Sequence, residues 1–376
     1  MKRLVVCCDG TWNRPDQVSG GVGCPTNVTK LALGLAPEDQ WGNPQLLHYE
    51  RGVGTGRFER LRGGAFGLGL SRNIRSCYRF LAACYEPGDE LYLFGFSRGA
   101  FTARSLAGLV RNSGILDRRH VDRVDDAYAL YRARRPDSHP RGIEARIFRR
   151  MHSHDDCTVR MIGVWDTVGA LGIPLRGAHL IPWLNRRWQF HDTDLSSRVT
   201  AAFHALAIDE RRGPFGPTLW RKQPEATDQT LEQVWFAGAH SDVGGGYPEP
   251  ELAEIALLWM VDRARACGLE FDAEHFVLAG DGGGEPERRA MGALVRPDPL
   301  GPLHDSRKGF YRLRPPRDRA LVGADGSPPG DGNRVAAPAI RRREGREDYR
   351  PQPLEDFIDA GGDVAEVAGV PGYRGA

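Results

Sequence analysis

The sequence contains no run of about 18 or more apolar residues, so no membrane-spanning helix is expected. Its start, Met1-Lys2-Arg3-Leu4-Val5-Val6-Cys7-Cys8-Asp9, mimics a signal peptide only briefly, because the apolar run is short and ends in an aspartate. A buried strand in a cytoplasmic chain is the expected reading. There is no Cys-x-x-Cys pair, and the seven cysteines are an odd number, scattered along the chain. This argues against a disulfide framework and a structural zinc site, and for a reducing compartment. Net charge is also small, formally +2, so no basic field points to nucleic acid. Lysine is scarce, at positions 2, 30, 222 and 308 only, so nearly all positive charge is arginine. No internal repeat is visible. Gly52-Val53-Gly54-Thr55-Gly56 is not followed by Gly-Lys-Ser/Thr, which removes a nucleotide-binding phosphate loop.

What is present is an alternation of strand and helix patterns. The chain has 376 residues, 40% hydrophobic and 27% charged, enough to bury a large core. Continuous apolar runs at Arg3 to Cys8, Glu90 to Phe96, Val159 to Trp165 and Gln233 to Ala239 suit strands covered on both faces, and Gln45 to Tyr49 is a shorter one. Helical spacing is seen at Thr26 to Ala36, Ser71 to Tyr85, Ala100 to Arg111, Ala127 to Arg134, Ser196 to Ala207 and Pro250 to Cys267. This order predicts a doubly wound, mostly parallel α/β sheet flanked by helices. Residues 1–280 are read as the domain, and 281–376 as a loop-rich, partly mobile part that wraps it.

Polar residues cluster just after the strands, where ligands bind in such sheets. Gly95-Phe96-Ser97-Arg98-Gly99 stands between strand-formers and a helix start, the strand–turn–helix context of the α/β-hydrolase nucleophile elbow. Ser97 is the candidate nucleophile, and the Arg98 amide a candidate oxyanion donor. Asp9-Gly10-Thr11-Trp12-Asn13 occupies the place of the oxyanion loop, so Gly10 or Thr11 is a candidate second donor.

A serine needs a base, and the base an orienting acid. Asp166 and His240 follow the next two expected strands and give the order Ser, Asp, His. Asp242 and His304 form the alternative pair. In the commoner arrangement of this fold the acid follows the seventh strand and the histidine the eighth. Counting Arg3 to Cys8 as the third makes Gln233 to Ala239 the seventh, which favours Asp242 and His304. Spacing leaves both pairs open. Asp9 with Asp242 as a metal site lacks supporting ligand spacing, and neither metal nor cofactor is expected.

Five segments together resemble the phospholipase-like α/β-hydrolase domain family that includes type VI secretion lipase effectors. They are Cys8-Asp9-Gly10-Thr11-Trp12-Asn13, Gly95 to Ala100, Gly163-Val164-Trp165-Asp166-Thr167-Val168-Gly169, Ala205 to Arg211, and Trp235 to Tyr247. The resemblance implies a Ser, Asp, His triad whose acid is Asp166 and whose base is His240. It implies a serine hydrolase of carboxylic esters, lipase- or phospholipase-like, with a small ester or lipid as substrate. It leaves open peripheral membrane contact and export by a specialised secretion system. A non-catalytic binding or scaffold protein on this fold, and a hydrolase of a non-lipid ester, thioester or phosphoester, are the competing readings.

Overall fold

The computed structural model describes residues 1–10, 13, 16–19, 21–52, 65–133, 135–168, 194–280, 286–323 and 332–370, the side chains of 65–68, 286, 290 and 310 excepted. Eight parallel strands form one sheet: β1 (Arg3–Cys8), β2 (Gln45–Glu50), β3 (Glu90–Phe96), β4 (Val159–Trp165), β5 (Val199–Ala207), β6 (Thr230–Phe236), β7 (Asn333–Ala336) and β8 (Val364–Ala365). Their spatial order is β8-β7-β6-β5-β4-β3-β1-β2. The order reverses between β1 and β3. There the two neighbouring chains leave the sheet in opposite directions and open a crevice at its carboxyl edge.

Burial on both faces explains why the central strands read as continuous apolar runs. Alternate residues go to opposite sides: Leu4, Val6 and Cys8 of β1 to one, Val5 and Cys7 to the other. The first side is covered by α2 (Ala65–Cys84), α3 (Arg98–Ser113) and α4 (Val124–Arg132), through Cys77, Tyr78, Leu81, Leu106 and Val110 among others. The second is covered by α1 (Asn27–Gly34) and a long helix, Glu251–Ala266, through Leu31, Ile255, Trp259 and Met260. Thr26 caps α1 by accepting from the Thr29 amide, and Gly114, at φ 69°, ends α3.

Three expectations change. Ser196 to Ala207, expected as a helix, is the central strand β5, paired with β4 and β6. Its alanines favour a helix locally. However, eight of its nine residues are buried, and two ladders of hydrogen bonds outweigh that preference. Counted with β5 included, β6 becomes the eighth strand of the hydrolase scheme rather than the seventh. The strand count that favoured Asp242 and His304 therefore fails. A helix at Ile143–His152 was not anticipated. Regular structure is also found among the described residues of the C-terminal part. That part supplies β7, β8 and two helices, Ala337–Gly345 and Gln352–Asp359, which bury Ala339, Leu354 and Phe357 with Trp235 and Val335 in a third apolar cluster. All seven cysteines are free thiols, and Cys8 and Cys77 approach to 3.7 Å between β1 and α2.

β5 also carries a buried titratable group, His204, whose Nε2 accepts from the Thr167 amide at 3.1 Å. Burial, and then the charge of Arg104, lower its pKa from 6.5 to about 3, with Asp166 opposing and Arg319 adding to the shift. The folded state thus favours the neutral ring. Its stabilising contribution is complete above pH 6.5 and is lost as pH falls towards 3. His204→Gln keeps an acceptor but cannot titrate. Its melting temperature should fall less steeply than that of the parent between pH 6.5 and 3, as followed by circular dichroism; parallel curves would exclude this role.

Candidate active site

Ser97 stands at the tip of β3 as the N-cap of α3, with φ 58° and ψ −117°. Positive φ in a non-glycine residue costs on the order of 1–3 kcal/mol and persists only where its surroundings enforce it. The flanking glycines are part of that enforcement. A Cβ on Gly99 would lie 2.0 Å from the Cys8 carbonyl oxygen, and one on Gly95 2.4 Å from the Gly99 carbonyl oxygen. Glycine at 99 thus lets the elbow pack against the end of β1, and glycine at 95 lets β3 pass close to the first turn of α3.

The hydroxyl meets an imidazole. Ser97 Oγ lies 2.8 Å from His240 Nε2, and His240 Nδ1 lies 2.5 Å from Asp166 Oδ2. An ionised carboxylate can only accept, so the proton on Nδ1 donates to Asp166 and Nε2 is left to accept from Ser97. Two rings fix the imidazole: Phe96 at 4.6 Å and Phe215, nearly perpendicular, at 5.2 Å between centroids. His240 opens a short helix, His240–Gly244, directly after β6, and its amide donates to Glu210 Oε2 at 3.3 Å.

Asp166 follows β4, also at positive φ (40°), and is wholly buried. Its carboxylate is fully engaged. Oδ1 accepts from the Ala207 amide (3.0 Å) and Arg319 Nη1 (2.6 Å), and Oδ2 from His240 and Arg319 Nη2 (3.0 Å). Burial alone would push this carboxyl up. The charge of Arg319, then the hydrogen bond and charge of His240, instead hold it well below the usual carboxylate range. Arg319 is itself buried, and its Nη1 and Nη2 also donate to the carbonyls of Ala207 and Phe215. Nothing in the sequence pointed to it, because one of several arginines in a loop-like stretch has no periodicity or motif to mark it.

The other candidates fall into separate sets. Asp242 and His304 pair with each other, Oδ1 to Nδ1 at 2.6 Å, while His304 stacks on Tyr247 at 4.0 Å. Asp242 also accepts from the amides of Ala239 and His304. This pair clamps the turn that carries His240 to the segment at 303–306. The serine's hydrogen bond goes to His240 and not to His304. The Arg98 amide is the first of α3. The Gly10 amide departs from expectation: it donates to Asp9 Oδ1 at 2.6 Å. Thr11 lies outside the described residues. Asp9 Oδ2 accepts from Thr26, Thr29 and Tyr49. Glu210, which the sequence gave no role, accepts from Arg212, Ser306 and the His240 amide. Among the described residues, one group brings metal-ligand atom types together: His48, Glu50 and Cys77, within 4.8 Å of one another, on β2 and α2. No described helix is long and apolar enough to cross a membrane.

Sheet order and site together define an α/β-hydrolase-like protein in which Ser97, His240 and Asp166 are hydrogen-bonded in series at the carboxyl edge of the sheet. The chain belongs to the family of Tle1-like phospholipase effector catalytic domains of the type VI secretion system, whose model matches residues 2–263. It is 31% identical over 244 residues to the uncharacterized protein YEL023C of Saccharomyces cerevisiae, covering 59% of this chain and 33% of that protein. Two solved structures are similar in part. One is an uncharacterized protein from Pseudomonas aeruginosa (18% identity, TM-score 0.41, 72% of this chain and 46% of that one). The other is the Tle1 effector bound to the VgrG spike of the type 6 secretion system (19%, TM-score 0.37, 66% and 51%). The chain thus spans a third to about a half of these relatives' lengths.

Removing Arg319 leaves a buried carboxylate short of two donors. Arg319→Met should cost about 3–5 kcal/mol in urea unfolding. Combined with Asp166→Asn, it should cost markedly less than the sum of the two single changes; strict additivity would contradict the coupling.

Proposed function

We propose that the chain is a serine hydrolase of carboxylic esters, lipid esters first among them. The observation that carries this reading is the unbroken path from Ser97 Oγ through His240 to Asp166, with Ser97 lifted by a strained elbow. In this reading His240 Nε2 takes the Ser97 proton as Oγ attacks the ester carbonyl carbon. Asp166 holds the ring in position and stabilises the imidazolium. The Arg98 amide, at the amino end of α3, donates to the developing oxyanion, aided by the helix dipole. A second donor is assigned to the turn after β1, at Gly10 or Thr11. The tetrahedral species collapses, and His240 returns the proton to the leaving alcohol. Water then enters by the same base and releases the acid from the acyl-enzyme. These steps use only this chain's own residues.

Lipid comes first because the family is described by phospholipase effectors. Export through a type VI apparatus is the delivery route that the same membership supports, with peripheral contact at a membrane as the setting for the reaction. The test is turnover of a phospholipid and of p-nitrophenyl butyrate by the parent chain and by Ser97→Ala, His240→Gln and Asp166→Asn. Ser97→Ala and His240→Gln should each lower kcat by at least about 10³-fold, with Asp166→Asn next. Undiminished hydrolysis by Ser97→Ala would overturn the reading. Turnover of the short ester alone would move the substrate to a non-lipid class.

A further inference from the structure

A cavity of about 330 Å³ adjoins the relay, lined by Arg211, Arg212, Arg307, Tyr311, Arg314 and Arg317 together with turn residues. Its link to the reacting atoms is short. The Arg212 guanidinium sits 3.5 Å over the Phe215 ring, and that ring packs on His240. The cations facing it are not equally compensated. Arg211 is paired with Asp318 at 2.7 Å, and Arg212 with Glu210 at 2.7 Å. The Arg307 guanidinium donates to the carbonyl of Arg314, a neutral group, and Arg317 is exposed; among the described residues neither guanidinium is paired with a carboxylate. The cavity therefore combines positive charge, an aromatic wall and a size at the lower end for small ligands. Guanidinium forks match phosphate oxygens in pairs, and such bonds are stronger than neutral ones. The segment that supplies Arg307 and Arg317 lies beyond the residues matched to the family model.

We propose that this cavity is a phosphate-ester subsite, in which Arg307 and Arg317 hold the headgroup phosphate of a phospholipid while its ester carbonyl reaches Ser97. The proposal rests on the hydrolase reading above, and its test separates the two. Binding is measured first by calorimetry on the full chain carrying Ser97→Ala, with glycerophosphoglycerol and with inorganic phosphate as probes. Glycerophosphoglycerol should bind, inorganic phosphate should compete with it, and Arg307→Met/Arg317→Met should weaken binding at least about tenfold. The double Lys variant should recover part of the loss. Turnover is measured second, with Ser97 in place. The double Met variant should lower kcat/KM for a soluble short-chain phospholipid about tenfold and leave p-nitrophenyl butyrate unchanged. Binding unaffected by the double Met variant, binding of inorganic phosphate alone, or equal losses on both substrates would each overturn the subsite. Intact binding without turnover of either ester would instead overturn the hydrolase reading and leave the subsite standing.

Discussion

A carboxylate with no exposure to solvent needs a donor for nearly every lone pair, and Asp166 has four. Two come from Arg319, one from the β5 backbone and one from His240. Without the arginine, burial would favour the protonated acid, which could not accept from His240 in the same way. With it, the carboxyl stays ionised and the imidazole is held by its Nδ1 proton, Nε2 facing Ser97. The same arginine grips the carbonyls of Ala207 and Phe215. It thereby ties β5 to the loop whose Phe215 ring packs on His240. Acid, base orientation and ring packing all depend on this one bidentate contact.

Its consequence is that the site reaches beyond the matched family region. Residues 2–263 contain Ser97, Asp166 and His240. Arg319, His304 and Ser306 come from the segment between the long Glu251–Ala266 helix and β7. His304 clamps Asp242, Ser306 reaches Glu210, and Glu210 accepts from the His240 amide. The downstream segment thus braces the histidine-bearing turn from one side while Asp166 braces it from another. Strands β7 and β8 then anchor that segment on the sheet.

Much of this was legible in the residues. Glu90–Phe96 and Val159–Trp165 are apolar on both faces, so their continuous runs mark them as inner strands. Glycine on either side of Ser97 marked the elbow, because only glycine tolerates the backbone that approaches there, from β1 at Gly99 and from the start of α3 at Gly95. Residues Val199–Ala207 were not legible. Alanine suits a helix, and only the pairing with β4 and β6 makes a strand of them. That one misreading displaced the strand count and drew the choice of acid and base towards Asp242 and His304. The resemblance pointed instead to Asp166 and His240, the pair that stands in hydrogen-bonding order with Ser97. Arg319 could not be read at all, since its role exists only where a distant loop meets β4 and β5.

The central claim is that Ser97 is a nucleophile activated by His240. The most direct measurement is peptide mapping of the folded chain after reaction with a fluorophosphonate. One phosphonyl adduct should appear, on the peptide containing Ser97, and it should be absent from His240→Gln and after unfolding. No adduct on the folded parent, or labelling of another serine while Ser97 stays unmodified, would contradict the account.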